Sequence, residues 1–510
     1  MKQITRLTIC LTSIVLLNIG IANAQSDFEK YIQQELEAFE KEVQQEQVNF
    51  SEYVRQEQEN FKQYRDSINQ EFASFLEKEW KDFDLQKPEP LIKNPIVAPP
   101  VYDDTKPQPR PEEIPVIKTP PVLPVPVPDP KPAPQPMPVP VPQSTIKTAF
   151  FGTTIHINEL DFLIVRLFGI TEKDIAQHWK MLSDIPYLDI MNDAKRIQAE
   201  LQLNDWGIYQ LLNRLFHVYI PQGTTNEQVV FSIFMLNQLG YRAKIGKAGN
   251  ELIPLIAFQQ PVYNSSFFRY GDVKYSVLNP GRKALSGIQA CTIDYPDASN
   301  HIDLSVHANP YLAEQTEVKT LTVGTTNYTI EYNQNRVDFY ADYPTVHFSV
   351  YAEAVLDAVL QESIEQHIRP LIAGKSQEEA VNLLLHFVQN AFKYKTDQDQ
   401  FGYEKWNFAE ETIASPYSDC EDRSILFTQL VRRLLNMPVV LVHYPGAHLA
   451  TAVKFTNPTT NGDHLIVDGD KYLICDPTYI NANLGMAMPD LRNNRVEVIK
   501  LNYMYPTDNL

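Results

Sequence analysis

The sequence predicts an α+β protein built in modules, and three observations carry that expectation. From about residue 144 onward helical and alternating apolar periodicities are mixed, and one helix-then-strand series occurs there twice. An eleven-residue repeat and a proline run precede them.

At the start, Lys2 and Arg6 precede an apolar stretch from Leu7 to Ile21, and Ala22-Asn23-Ala24 offers an A-x-A cleavage site. Residues 1–24 therefore read as a secretory signal, with an exported mature chain, periplasmic or secreted. Ile9 before Cys10 argues against a lipoprotein. No later stretch has the apolar length of a membrane-spanning helix. Cleavage leaves Cys291, Cys420 and Cys475, an odd and sparse set that makes no disulfide framework and leaves at least one free thiol. A formal charge of −19 without a concentrated basic patch excludes nucleic acid as a partner.

Residues 25–86 repeat every eleven positions. Phe28, Phe39, Phe50, Phe61, Phe72 and Phe83 form one column, Tyr31, Tyr53, Tyr64 and Phe75 a second, and Ile32, Val43, Val54 and Leu76 a third. This is an i, i+3, i+4 stripe at about 3.67 residues per turn, the period of a hendecad coiled coil. A lone helix would leave such a stripe in water, so a partner is expected, and a second copy of the chain is the reading preferred over packing on the globular part. Residues 87–143 then hold 21 of the 37 prolines. Such a composition predicts extended polyproline II and a semi-rigid spacer.

The duplicated series spans residues 144–300 and 346–510, with a connecting β segment at 301–345. In the second copy SDCEDRSILFTQLVRRLLNMPVVLV begins at Ser418, GAHLATAVKF at Gly446 and GDKYLICDPTY at Gly469. In the first, GTTNEQVVFSIFMLNQLGYRAKIG begins at Gly223, GNELIPLIAF at Gly249 and GDVKYSVLNP at Gly271. His448 to Asp476 is 28 residues, as is Glu251 to Asn279. Without gaps Thr224 stands for Cys420, Glu251 for His448 and Asn279 for Asp476, so the first copy keeps the apolar positions and loses the reactive ones. It reads as a structural or substrate-binding half.

Cys420 opens the predicted helix of the second copy, where a thiolate gains from the helix N-terminus and from an imidazolium. The amide of Cys420 is the expected oxyanion donor. His448 opens the next strand and Asp476 closes the one after, so the carboxylate can hold the ring and leave its other nitrogen for the sulfur. His443 and His464 are the rival bases. Cys475 should face the opposite side from Asp476, in the core, and Cys291 is expected to be structural. Asp419, Glu421 and Asp422 are expected to serve the helix start and loop contacts.

Asp-Cys-Glu-Asp around Cys420, Gly-x-His at His448 and Asp-Pro at Asp476, with HFVQNAFKYKTDQDQFGYEKWNFAEETI from His386 upstream, resemble the transglutaminase-like superfamily, most nearly its bacterial exported branch. The resemblance covers roughly residues 380–485. It implies a papain-like fold in a catalytic domain at 346–510, and a cysteine hydrolase or acyltransferase, a protease among the possibilities. The chemistry implied is attack on peptide or isopeptide amides through an acyl-enzyme. It also implies Trp406 or Tyr417 at the oxyanion site. Ser418 stands where the family often has Gly, which puts access to the groove in question. No cofactor and no metal are expected. The expected substrate partner is a peptide or protein, of the cell wall or envelope. Two rival readings remain, an envelope binding protein and a tether, each with a relic triad.

Overall fold

The eleven-residue period folds as one helix, α1 (Ala22–Leu76). In this computed structural model the described residues are 22–87, 95–106, 110–117, 145–160, 165–278, 285, 287–457 and 459–501. The apolar part of the signal, the proline run 118–144 and Asn279 lie outside them. Residues 1–70 and 71–510 form two units. In the first, the bond from Gln45 to Asn49 recurs eleven residues later from Gln56 to Asn60, both 3.1 Å. Phe39, Phe50, Tyr53, Phe61 and Tyr64 are exposed along the same helix.

The coiled-coil expectation runs too far at its end. The helix stops at Leu76, whose carbonyl accepts the Trp80 indole N–H at 2.6 Å, and residues 80–83 become a strand, β1 (Trp80–Phe83). Phe83, last of its column, pairs with Ile288 and stacks on Phe268, so a sheet rather than a helical partner takes it.

A hairpin, β2 (Thr145–Phe150) and β3 (Thr153–Asn158), leads into four helices, α2 (Glu172–Asp184), α3 (Tyr187–Leu201), α4 (Asp205–Tyr219) and α5 (Thr225–Gln238). Five strands follow: β4 (Ala243–Ala248), β5 (Glu251–Ala257), β6 (Phe267–Tyr270), β7 (Val273–Val277) and β8 (Ile288–Cys291). A second hairpin, β9 (Thr316–Val323) and β10 (Thr326–Asn333), occupies the connecting segment and ends in α6 (Gln334–Tyr340).

The C-terminal part adds α7 (Phe348–Glu353), α8 (Ala358–His367), α9 (Arg369–Ile372), α10 (Gln377–Ala391), β11 (Lys393–Tyr394), α11 (Asp397–Phe401), α12 (Ala409–Ala414), β12 (Tyr417–Ser418) and α13 (Cys420–Leu435). It closes with β13 (Val439–Tyr444), β14 (His448–Lys454), β15 (His464–Val467), β16 (Asp470–Cys475) and β17 (Glu497–Lys500).

The protein is thus a mixed α and β structure, with two larger antiparallel sheets. One has the order β1-β8-β4-β5-β7-β6 and the other β17-β13-β14-β16-β15. Apart from β1, the strands of the two sheets succeed one another in the same way. The registers agree as well. Thr451, three residues after His448, pairs with Cys475, the residue before Asp476. Pro254, three residues after Glu251, accepts the N–H of Leu278, the residue before Asn279, at 2.9 Å.

One face of the second sheet packs on α13 and α10, where Leu426, Leu430, Leu384 and Val388 meet Val453, Leu473 and Cys475. The other face gathers Val440, Val442, Tyr444 and Ala450 around Ile114. Ile114 belongs to the proline-rich segment, which corrects the spacer reading for its described pieces. Val101 bridges to Ile480, Glu113 to His464 and Val116 to Val496. These strand-like contacts arise because the residues between the prolines keep backbone N–H groups that a neighbouring edge can accept.

Candidate active site

The start of α13 is fixed from several sides. Asp419 is its N-cap and accepts the N–H of Asp422, which leaves Cys420 as the first helical residue. One turn on, Ser424 donates to the Leu449 carbonyl at 2.9 Å, tying the helix to the beginning of β14. Arg423 is buried beneath. Its guanidinium donates to Ser418 Oγ at 3.0 Å and to the carbonyls of Gln389 and Phe392 at 3.2 and 2.8 Å. Ser418 therefore anchors an arginine, a role that glycine could not fill.

His448 opens β14 after a turn at Gly446, whose φ of 76° lies in the left-handed region. Its Nε2 lies 2.9 Å from Asp476 Oδ2. Asp476 is held in turn by the N–H of Thr478 at 2.9 Å, while its carbonyl accepts from Gln389 at 3.1 Å. The carboxylate thus fixes the ring and leaves Nδ1 free, without a partner among the described residues. The expected base and orienting residue come together.

The thiol does not complete the set. Cys420 is 1% exposed and His448 0%. Sγ donates to Glu421 Oε2 at 2.9 Å, and no hydrogen bond joins it to His448 among the described residues. Burial, then the charges of Glu421 and Asp419, push the thiol pKa well up, against a smaller opposite pull from the Leu449 N–H. The expected thiolate stabilisation at the helix start is overridden by desolvation and two carboxylates. Strand alternation explains the separation. His448 shares the face of Tyr444, with ring centroids 5.8 Å apart, whereas α13 covers the opposite face. Cys420 meets β14 at its end, through the residue after His448.

Under the helix start lies a group of acids that sequence reasoning did not assemble, because its members come from separate segments. The carboxylates of Asp397, Asp419 and Asp422 lie within 4.8 Å of one another, all buried, and could together hold a cation. Asp422 also accepts from Asn407, backbone and side chain, at 2.9 and 3.0 Å, and Asp397 from the N–H of Lys405 at 2.7 Å. Burial, then the charges of Asp422 and Glu421, pushes Asp397 up to about 10, and burial, then the charges of Glu421 and Glu411 against the opposing Asn407 N–H, pushes Asp422 to about 7. At neutral pH the group therefore holds protons in place of a full set of charges.

The remaining candidates fall elsewhere. Trp406 stacks on Phe348 at 3.9 Å and packs against Tyr263 and Tyr351, and its indole N–H has no partner among the described residues. Tyr417 is half-buried under the Lys395 ammonium, 5.1 Å from its ring centre. His443 Nδ1 meets Glu497 at 2.9 Å, and His464 Nδ1 meets the Gly462 carbonyl at 3.0 Å. Cys291, Cys420 and Cys475 are all free and buried. No helix among the described residues is long and apolar enough to cross a membrane.

The first half carries an open cleft at the matching place. Thr224 is the N-cap of α5, with a capping box to Glu227, so by cap role it matches Asp419, and Thr225 is the counterpart of Cys420. The cap roles thus correct the ungapped correspondence by one residue, to Thr225 in place of Thr224. Thr225 and Glu251 both line a cleft of about 860 Å³. No protein-family model matches the chain, and neither does any curated protein or solved structure.

Proposed function

We propose that the C-terminal half is a transglutaminase-like, papain-type cysteine hydrolase or acyltransferase of peptide or isopeptide amides, in an exported protein. The observation that carries this reading is the His448–Asp476 pair, whose free Nδ1 lies one residue from the backbone N–H that reaches Cys420. Catalysis requires the thiol to leave Glu421 and the start of β14 to shift, so that Nδ1, which shares the face of Tyr444, comes within reach of Sγ. The imidazole takes its proton, the thiolate attacks the amide carbonyl, and the Cys420 N–H receives the oxyanion. His448 then returns the proton to the departing amine, leaving an acyl-enzyme for water or a second amine. The matching strand orders and registers support a duplication, in which the first half keeps the fold without a thiol or imidazole at the positions of Cys420 and His448. A cell-wall or envelope peptide is the proposed substrate, in keeping with export.

A second reading, a binding or tethering protein with a relic triad, is favoured by the buried thiol and its bond to Glu421. Iodoacetamide labelling at neutral pH separates the two. Modification of Cys420 that is lost in His448→Ala, together with turnover of peptide amides that added amines divert, supports catalysis. A thiol whose labelling ignores His448, in a protein that turns over no amide, sinks it.

A further inference from the structure

The cleft of the first half is walled by α4, the start of α5, the ends of β5 and β7, and the loops at 341–345 and 403–405. Three features of its wall select a ligand. Aromatic rings come from Trp206, Tyr209, Tyr263, Tyr343 and Tyr403, and offer flat apolar faces. Neutral amides alternate with them, among them Gln210, Asn213 and Gln228, each able to donate and accept. Formal charge is sparse. Glu251 and Asp342 are exposed, and among the described residues of the wall the one ammonium, Lys405, is held by Glu411 at 2.7 Å. Among those residues an anionic ligand finds no spare cation.

Two polar groups of the wall are unpartnered. Trp206 is 4% exposed, and its indole N–H has no hydrogen-bond partner among the described residues. The Gln210 carbonyl oxygen, one helical turn on, is also unpaired. Both atoms are closed to solvent as their side chains stand, so they meet a ligand only when Trp206 or Gln210 turns; together with the aromatic faces they suit a ligand rich in hydroxyl groups with an apolar ring face. A peptide that binds by adding a strand needs a free sheet edge. Here β5 and β7 are interior strands, each paired on both sides, so recognition falls to side chains.

We infer that this cleft is a binding site for a neutral oligosaccharide. Its wall includes Tyr403 and Lys405, on the loop whose Asn407 holds Asp422 beside Cys420. A glycan seated here lies against the segment that leads to the proposed nucleophile. The inference does not depend on the reactivity of that nucleophile.

The test uses the full mature chain carrying Cys420→Ala, so that binding is read without turnover. Calorimetry is run with tetrasaccharides of β-1,4-linked N-acetylglucosamine, β-1,4-linked glucose and α-1,4-linked glucose, and with tetra-alanine as the peptide arm. At least one tetrasaccharide is expected to bind with Kd below about 1 mM. Trp206→Phe keeps the ring and removes the N–H, and Gln210→Leu removes the acceptor. Each is expected to weaken that binding about tenfold with the thermal transition unchanged. Silence from all three sugars, binding of tetra-alanine alone, or a sugar affinity indifferent to both variants overturns the inference.

Discussion

A thiol at a helix start feels the partial positive charge of the amide ends, but Cys420 also sits between two carboxylates, out of water. Removing one of those charges should lower its pKa. In a chain with Cys291→Ala and Cys475→Ala, Glu421→Gln is expected to speed alkylation of Cys420 several-fold at pH 8, and an unchanged pH–rate profile would refute the assignment. Thr224→Ala should cost about 1 kcal/mol through the lost cap of α5 and leave any amide turnover intact. The acid group gives a pH signature of definite sign. Asp397 and Asp422 keep protons when folded that the unfolded chain releases near pH 4. The stability they contribute is full below that pH and is lost as pH rises toward about 7 for Asp422 and about 10 for Asp397. Thermal melts from pH 5 to 9 should therefore fall in Tm, and Asp397→Asn should flatten the slope; a rising curve contradicts the assignment. At this scale the sequence was informative about ends of elements, since Cys420, His448 and Asp476 each stand beside a helix or strand terminus. It was silent on the Glu421 bond and on the acid group, because rotamers and contacts between separate segments are decided by packing.

Elements were legible where their period was. The hendecad columns place α1, and the two series beginning at Ser418 and Gly223 place α13 with β13 and β14, and α5 with β4 and β5. The end of α1 was not, since Phe83 continues the column while tertiary pairing with β8 draws it into a strand. Along the helix Phe39, Phe50 and Phe61 are 45%, 60% and 43% exposed, a spaced aromatic row that water solvates poorly. A second copy of the same row is the covering partner the period favours. Sedimentation of the mature chain is expected to show an oligomer that Phe50→Ser with Phe61→Ser dissociates. A monomeric parent at micromolar concentration would remove this reading.

For the molecule as a whole, the largest departure from expectation is the proline-rich segment, since composition reports backbone stiffness but not which surface a stiff chain lies on. Its pieces are strapped across the C-terminal half beside the proposed site. The Ile96 carbonyl accepts the Tyr394 hydroxyl at 2.6 Å, and Tyr394 is close enough to Cys420 for the thiol's charge to push the phenol pKa up, after burial. Pro100 and Tyr102 bond to Ile480 at 3.0 and 2.8 Å, and Tyr102 meets the ring of Tyr479, three residues past Asp476. Ile114 is fully buried against Tyr444 and Ala450, on the sheet face that carries His448. Residues beside the thiol and the imidazole, among them Tyr394 and Tyr444, are thus packed on by a segment outside their own half. Loosening the strap should expose the thiol and the imidazole. Tyr102→Ala with Ile114→Ala removes one ring contact and one buried aliphatic anchor, the latter worth about 2–5 kcal/mol. The pair is expected to raise the rate of Cys420 alkylation at least about tenfold at constant circular dichroism, by raising the open population about that much. Limited proteolysis within residues 95–117 reports whether the strap has been released. A released strap with Cys420 as slow as in the parent would mean that burial by the sheet and α13 alone protects the sulfur.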